Sequence, residues 1–220
     1  ITSYSPLLGT LVVIPNSLGA AELLKHYGTE AQKSHYLPKL ADGTYLPCFG
    51  LTEPTAGSDA ASILARGLLF KNAEGKLQIK LNFRKRYITL APVANLISLA
   101  FKLHDPENLL GKGAEPGITV ALVHRGTPGL EMGKHHQPIG DAFYNGPIVG
   151  KDVVVDADEI IGGPEYAGQG WRMLMECLSA GRAISLPSSN TGMSQMTARA
   201  VGGYARVRSQ FKTAIGKFEG

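Results

Sequence analysis

The residues with the most suggestive chemistry lie in one stretch, residues 49–59, which reads FGLTEPTAGSD. The stretch leaves an apolar run and enters a segment rich in turn-forming residues. Pro54 fixes one backbone angle, and Gly57 permits a positive φ. A loop of this kind can turn its backbone N–H groups and short hydroxyls toward an anion or a flat heterocycle. By residue type alone the stretch predicts a cradle for such a ligand, and an ordinary loop is the alternative.

The composition narrows the class of protein and of partner. The chain has 220 residues, 44% apolar and 18% charged, which is typical of a globular protein with one or two domains. A net charge of +4 weakly favours an anionic partner. The basic residues form no dense run with interleaved aromatics, which argues against nucleic acid. No apolar run approaches about 18 residues, so no transmembrane segment is expected.

Neither the cysteines nor the histidines predict a metal site. Cys48 and Cys177 are far apart and lack the spacing of a zinc ligand pair or a disulfide framework. We interpret them as reduced thiols in a cytosolic setting. His135 and His136 have no third ligand nearby and are interpreted as part of a solvated loop.

The elements that must position the loop follow the order helices, strands, helices. Residues 16–41 predict two helices that break at Gly28, the first capped by Asn16 or Ser17 and the second by Thr29. A helix is predicted again from Trp171, with a kink or break at Pro187. Alternating or β-branched runs predict strands between them at residues 76–83, 87–90, 96–101, 118–123 and 153–155. This order predicts an α+β chain with a sandwich or barrel between two helical parts.

Several strings of the sequence resemble the acyl-CoA dehydrogenases. LTEPTAGSD at residues 51–59 is similar to the family's flavin-binding signature, and residues 28–43 are similar to the helix that feeds the flavin loop. RYITLAP at residues 86–92 and GQGWRML at residues 168–174 most resemble the large bacterial enzymes of fatty-acid β-oxidation. The resemblance implies a middle β-barrel or sandwich domain at residues 44–163. Parts of two helical domains would flank it at residues 1–43 and 164–220.

The resemblance also implies FAD as the cofactor and assigns residues to it. An aromatic face could cover the flavin ring, and a hydroxyl could hydrogen-bond a ring nitrogen. The implied FAD contacts are Phe49, Leu51, Thr52, Gly57, Ser58, Tyr87, Thr89, Arg208, Gln210 and Phe211. The implied substrate contacts are Ser58, Ser179 and Arg182. For Tyr87 and Thr89 the alternative is a role as ordinary strand residues, and for Arg182 a place on a helix surface.

Two positions depart from the family's pattern. Many members have Gly after the Asn that is Asn82 here, whereas this chain has Phe83, which cannot adopt a positive φ cheaply. The turn and the strand register are therefore expected to differ there. The RSQF string at residues 208–211 matches a motif by which one subunit reaches the FAD of its neighbour. Family members have Gly after it, and this chain has Lys212.

Dehydrogenation of an acyl thioester needs a base at the α-carbon. In some family members a Glu stands directly before the Arg matched by Arg182, but here that position is Gly181. We therefore expect no catalytic residue for this step in the chain, and a base Glu beyond Gly220. Glu53 and Asp59 are interpreted as residues that structure their loop. The absence of an initial Met and of a closing cap suggests a fragment of a longer protein, inactive by itself.

The function expected from the resemblance is oxidation of fatty acyl-CoA to trans-2-enoyl-CoA. The expected partners are a fatty acyl-CoA, an electron-transfer flavoprotein as acceptor, and further copies of the chain in a homo-oligomer. Two alternatives stay open: an acyl-CoA oxidase that uses O₂, and a non-catalytic β-rich interaction module that has kept the motif. The expected location is the cytoplasm, with peripheral contact to the inner membrane as a variant of it.

Overall fold

The computed structural model describes residues 4–5, 8–9, 19–137 and 144–218. The chain forms two compact units. The first is Asn16–Ala180, and the second combines Ile1–Pro15 with Gly181–Gly220. The first unit contains a seven-stranded sheet and the helices that cover it, which confirms the predicted α+β class.

Two short helices open the first unit. Helix α1 spans Ala20–Tyr27 and helix α2 spans Glu30–Ala41, so the predicted break at Gly28 is confirmed. The Thr29 hydroxyl accepts a hydrogen bond from the backbone N–H of Gln32, and the Gln32 side chain accepts one from the N–H of Thr29. This capping box fixes the start of α2. The caps predicted at residues 16 and 17 lie outside the described residues.

The sheet is mixed. Its strands are β1 (Pro47–Gly50), β2 (Arg66–Lys71), β3 (Leu77–Thr89), β4 (Leu96–His104), β5 (Gly117–His124), β6 (Leu130–Met132) and β7 (Asn145–Asp156). Their order is β1-β4-β2-β3-β7-β6, and β5 pairs with the other edge of β4, from Leu96 to Leu103. Strands β1 and β2 run parallel to β4, and the other pairs are antiparallel. The parallel contacts bring the segments before and after residues 51–59 onto one strand.

Residues 96–101 of strand β4 are buried on both faces of the sheet, and all of them except Ser98 are apolar. Ile97, Leu99 and Phe101 point into a core cluster enclosed by β2, β3 and β7. Leu96 and Ala100 point into a second cluster, where α1, α2 and the residues after Gly170 cover the sheet. The sheet therefore has one face toward helices and one toward other strands.

Strand β3 joins two segments that the sequence predicts as separate strands. Residues 76–83 and 87–90 belong to one long strand that pairs with β7, with register shifts between Leu81 and Phe83 and again after Lys85. The pairing is thus irregular at Phe83, the position where the sequence predicts a departure from the family's turn. Its ring lies against Gly150 of β7, where an added Cβ would come within 2.2 Å of the ring. Because Gly150 has no side chain, there is room for the ring of Phe83.

Helix α3 spans Gly170–Val207 and continues into the second unit. Of the kink or break predicted at Pro187, the break is wrong, because the helix runs through this residue. The hydroxyl of Ser188 donates to the Ile184 carbonyl at 2.7 Å, and that of Thr191 donates to the Pro187 carbonyl at 2.9 Å. These bonds add to the turns in which the Pro removes one backbone donor. Among the described residues, no helix combines the length and hydrophobicity needed to cross a membrane.

Candidate functional site

The loop at residues 51–59 is closed by its own backbone and by one buried carboxylate. The N–H of Glu53 donates to the Ala56 carbonyl at 3.0 Å, and the N–H of Ala56 returns a bond to the Glu53 carbonyl at 3.3 Å. The Glu53 carboxylate, 5% exposed, accepts from the backbone N–H groups of Leu64 at 2.6 Å and Ala65 at 3.0 Å. Glu53 therefore structures the loop, as its sequence context predicts.

Lys85 ties this loop to strand β3. Its ammonium donates to the Glu53 carboxylate at 2.7 Å and to the Leu51 carbonyl at 3.0 Å. Its side chain is fully buried, and burial lowers the pKa of Lys85 to about 8 against the opposing effect of the carboxylate. The site residues predicted from the sequence do not include Lys85. The signal was present, because Phe83 and Lys85 occupy the inward positions of an alternating strand.

A bulge turns Tyr87 out of the sheet. The register of β3 against β7 shifts between Lys85 and Ile88, and Tyr87 has a φ of 58° with a side chain that is 52% exposed. Bulges commonly re-aim a side chain in this way. The interpretation of residues 87–90 as a buried strand is thus wrong for Tyr87. The N–H of the preceding Arg86 donates to the Thr52 carbonyl at 3.1 Å, so the loop and the bulge are joined directly.

The far part of the loop presents open hydrogen-bonding groups. Gly57 and Ser58 are exposed, and in the part of the chain that the structure describes neither makes a hydrogen bond. An added Cβ at Gly57 would meet nothing within 4 Å, so the space beside it is empty. Gly57 does not use a positive φ, which corrects the reason given for it from sequence. Its contribution is an uncovered backbone, which anion-binding loops require.

The bulge borders a cavity of about 580 Å³. Tyr87 lines it together with Pro54 of the loop, and the His136 ring lies 5.2 Å from the ring of Tyr87. Nδ1 of His136 is buried and has no hydrogen-bond partner among the described residues. The Arg86 guanidinium stacks on Tyr87 at 4.2 Å. An aromatic surface, two cationic or polar side chains and the loop therefore converge at one place.

Comparison with known proteins shows the family of the chain. The family model "Acyl-CoA dehydrogenase, middle domain" matches residues 48–153, and the model "Acyl-CoA dehydrogenase, N-terminal domain" matches residues 1–44. The chain belongs to the acyl-CoA dehydrogenase family. A short-chain specific acyl-CoA dehydrogenase of Megasphaera elsdenii is 34% identical over 194 residues, which cover 88% of this chain and 47% of the relative. Protein HemX of Proteus mirabilis is 54% identical over 103 residues, which cover 47% of this chain and 61% of the relative.

Solved structures of acyl-CoA dehydrogenases have the same fold. The butyryl-CoA dehydrogenase of Megasphaera elsdenii is similar with a TM-score of 0.77 and 29% identity, and the match covers 99% of this chain and 53% of that one. An acyl-CoA dehydrogenase from Bacillus anthracis, solved in complex with FAD, gives a TM-score of 0.76 at 26% identity and covers 96% of this chain and 33% of that one. This chain spans about half the length of the curated relatives it matches.

Other residues that the acyl-CoA dehydrogenase resemblance assigns to FAD or substrate have different surroundings. Phe49 is only 9% exposed and belongs to the core cluster under the helices, where its ring lies beside Gly19. Leu51 and Thr52 are half-buried at the start of the loop, and Thr89 is half-buried at the end of β3. Within the described residues, the hydroxyls of Thr52 and Thr89 have no hydrogen-bond partner.

Ser179 and Glu176 lie near the carboxyl-terminal end of the first unit and bear on the predicted substrate contact and catalytic base. Ser179 of α3 is exposed, and its hydroxyl donates to the Met175 carbonyl one turn earlier. The Glu176 carboxylate accepts hydrogen bonds from the Tyr27 hydroxyl and from Nε of Arg172. Both bonds hold the carboxylate of Glu176. Glu176 is the acidic residue nearest in sequence to Gly181, the position where some family members have the base.

The second unit contains the motif predicted to reach a neighbouring FAD. Its hairpin joins β8 (Ser209–Gln210) to β9 (Thr213–Ala214) through Phe211 and Lys212, which have φ angles of 50° and 66°. Two positive φ values define a type I′ turn, which favours Gly or Asn. Phe211 is 93% exposed at its tip. Arg182 and Arg208 are also exposed and make no ion pair within the described residues.

Proposed function

We propose that this chain forms the flavin-holding part of an FAD-dependent acyl-CoA dehydrogenase that oxidises fatty acyl-CoA in β-oxidation. The observation that carries the proposal is the direct junction of the loop at residues 51–59 with the outward-turned Tyr87. Lys85 and Arg86 make that junction through hydrogen bonds to Leu51, Glu53 and Thr52. The two strings that resemble flavin motifs thus lie side by side, although residues 60–85 separate them in sequence. Their contact supports one shared flavin.

The open groups of the site fit FAD. The uncovered backbone of Gly57 and Ser58 suits a pyrophosphate, the free hydroxyls of Thr52 and Thr89 suit the polar edge of a flavin ring, and Tyr87 offers an aromatic face. FAD would supply the hydride acceptor for the β-carbon. Leu51 lies at the start of the same loop and would add an apolar wall.

The substrate residues and the base belong to the same proposal. Ser58, Ser179 and Arg182 would contact the acyl-CoA, and the α-proton would leave to a carboxylate that residues 1–220 do not supply. Gly181 has no side chain, and the carboxylate of Glu176 is held by Tyr27 and Arg172. General-base catalysis is typically worth ~10²–10⁴ in rate. Residues 1–220 alone are therefore expected not to turn over an acyl-CoA.

The remaining features complete the proposed enzyme. Residues 1–43, 44–163 and 164–220 would belong to a helical, a β and a second helical domain of a cytoplasmic protein. In a homo-oligomer, Arg208, Gln210 and Phe211 would reach the FAD of the neighbouring subunit, since the planar fork of an Arg suits a pyrophosphate. An electron-transfer flavoprotein would accept the electrons. The large bacterial β-oxidation enzymes are the subgroup to which the chain is assigned.

A cofactor and bleaching experiment tests this function. This chain, joined to the C-terminal half that its relatives carry, is purified, supplied with FAD and mixed anaerobically with a long-chain fatty acyl-CoA. Retention of FAD and bleaching of its visible absorbance by the acyl-CoA are expected. Rapid peroxide formation in air would indicate an oxidase instead. A protein that stays colourless after addition of FAD would support a non-catalytic module and contradict the proposal.

A further inference from the structure

Arg86 contacts both of the segments that meet at the flavin site. Its backbone N–H donates to the Thr52 carbonyl of the loop at 3.1 Å. Its guanidinium carbon lies 4.2 Å from the centre of the Tyr87 ring, and the guanidinium also donates a hydrogen bond to the Tyr87 hydroxyl. The backbone bond joins the loop to the bulge, whereas the side-chain contacts act on the position of the ring.

The Tyr87 ring depends on such contacts because it lies outside the core. Tyr87 has a φ of 58° and is 52% exposed. A non-Gly residue at a positive φ is strained and keeps this conformation only where its surroundings fix it. In the part of the chain that the structure describes, the other ring beside it is that of His136, 5.2 Å away at an interplanar angle of 60°. Side chains at the surface, rather than a packed core, therefore hold the ring in place.

A guanidinium suits this position for two reasons. It is planar, so it can stack on an aromatic face while an N–H group donates to the hydroxyl of the same ring. It also stays protonated at any physiological pH. Reduction adds negative charge to a flavin, so a cation beside the ring that covers the flavin would favour the reduced form and raise the reduction potential.

Arg84 offers a comparison on the same strand. It is exposed, lies two positions before Arg86 and lines the same cavity of about 580 Å³. Within the described residues, its side chain has neither a ring contact nor a hydrogen bond. The two arginines thus place equal charges close together, and of the two only Arg86 is joined to Tyr87.

We infer that Arg86 is a positioning residue of the flavin site, which holds the Tyr87 ring in place for the flavin and keeps a positive charge beside it. The inference rests on the proposed function, because it takes Tyr87 as a contact of the flavin. Arg86 acts through Tyr87 and need not touch the cofactor itself. Loss of the guanidinium should therefore free the ring, weaken FAD binding and lower the reduction potential of the bound flavin.

The first measurement needs no cofactor. Amide hydrogen exchange of residues 86–89 is followed in the protein of the bleaching experiment before FAD is added. Arg86→Met keeps an apolar stem and removes the charge, and it should raise local opening about twofold to fivefold, the scale of one cation–π contact at an exposed site. Arg84→Met is the matched control and should exchange like the wild type. Equal exchange in Arg86→Met and the wild type would overturn the inference.

The second measurement uses the protein loaded with FAD. Arg86→Met should raise the dissociation constant of FAD by a similar factor. This effect should disappear in a Tyr87→Leu background, because the ring through which Arg86 acts is then absent. Additive effects of the two substitutions on FAD affinity would overturn the positioning role.

The reduction potential of the bound flavin tests the charge. Arg86→Met should lower it by about 14 mV, which corresponds to a roughly threefold change in a two-electron equilibrium. Arg86→Lys keeps the charge without the planar group, so it should retain most of the potential and still open the bulge more often than the wild type. A potential in Arg86→Lys as low as in Arg86→Met would overturn the role of the charge, and so would an equal fall in Arg84→Met.

The outcome is separable from that of the proposed function. If acyl-CoA bleaches the wild type and all Arg86 variants match it in exchange, FAD affinity and potential, the dehydrogenase proposal stands and the positioning role is refuted. A wild type that stays colourless after addition of FAD would refute both, because the Tyr87 ring would then have no flavin to contact.

Discussion

Replacing Lys85 by Met tests whether the buried pair of Lys85 and Glu53 holds the flavin loop in place. The substitution keeps the length and apolar stem of the side chain but removes its charge. The Glu53 carboxylate would then keep two backbone donors, at 2.6 and 3.0 Å, and lose its counter-charge. The Leu51 carbonyl would lose its donor as well. Both side chains of the pair are at most 3% exposed, so water cannot replace the ammonium.

The expected cost follows from that burial. Removal of one partner from a buried ion pair typically destabilises a protein by about 3–5 kcal/mol, because the other charge is left uncompensated. For a unit of this size, each kcal/mol corresponds to a shift of roughly 2–4 °C in Tm, so Lys85→Met should lower Tm by roughly 6–20 °C. Retention of FAD should fall with it, since the loop loses its link to β3.

Thermal unfolding followed by circular dichroism measures this effect. Lys80→Met on the outward face of the same strand is the matched control and should change stability by no more than about 0.5 kcal/mol. Glu53→Gln combined with Lys85→Met removes both charges and should recover at least half of the loss. The pair does not hold the loop if the Tm of Lys85→Met equals that of Lys80→Met. The same follows if the double variant is destabilised by the sum of the two single effects.

Four further substitutions probe the site and its surroundings. Gly57→Ala should leave Tm unchanged, because its Cβ meets nothing within 4 Å. It should nevertheless lower FAD affinity at least about tenfold, because the methyl group fills the space beside the open backbone. Unchanged affinity would exclude Gly57 from the site. Thr89→Val should keep the fold and shift the flavin absorption spectrum and reduction potential, and if both match the wild type, Thr89 does not touch the ring. Lys212→Gly should stabilise the β8–β9 hairpin by about 1 kcal/mol, because a non-Gly residue at a φ of 66° is strained. The free energy of local opening from amide hydrogen exchange measures this, and no gain would mean that the turn is relaxed. Burial lowers the pKa of His124 from 6.5 against the effect of Glu159, so the unfolded chain binds the proton more tightly and the protein loses stability as the pH falls through 6.5. His124→Gln should therefore make the free energy of unfolding depend less on pH in this range. An unchanged pH profile would contradict this.

His124 lies in a hydrogen-bonding network with Tyr36 and Glu159. Its Nε2 is 3.0 Å from the Tyr36 hydroxyl, which donates to the Glu159 carboxylate at 2.7 Å. His35 and Lys39 of α2 also face it and lower its pKa. A protonated His124 would be repelled by Lys39 and attracted to Glu159. Gln keeps the hydrogen bonding without a charge, so His124→Gln isolates the electrostatic contribution.

The sequence by itself determined the features that depend on a few neighbouring residues. The Thr29 cap and the break at Gly28 follow from local hydrogen bonding. The strand at residues 96–101 follows from a short, mostly apolar run. The string at residues 51–59 was specific enough to identify the family. It also predicted that Glu53 structures its loop, because a carboxylate in such a turn has backbone donors within reach.

Only the tertiary structure decided which residues of distant strands contact each other, because those contacts depend on the strand register. The burial of Lys85, the outward turn of Tyr87 and the pairing of Phe83 with Gly150 depend on how β3 lies against β1 and β7. Arg66 and Lys102 lie side by side because two parallel strands, 36 positions apart in sequence, share one register. The alternation of side chains predicts which residues share a face of the sheet, but the pairing with the partner strand decides which residues that face contacts.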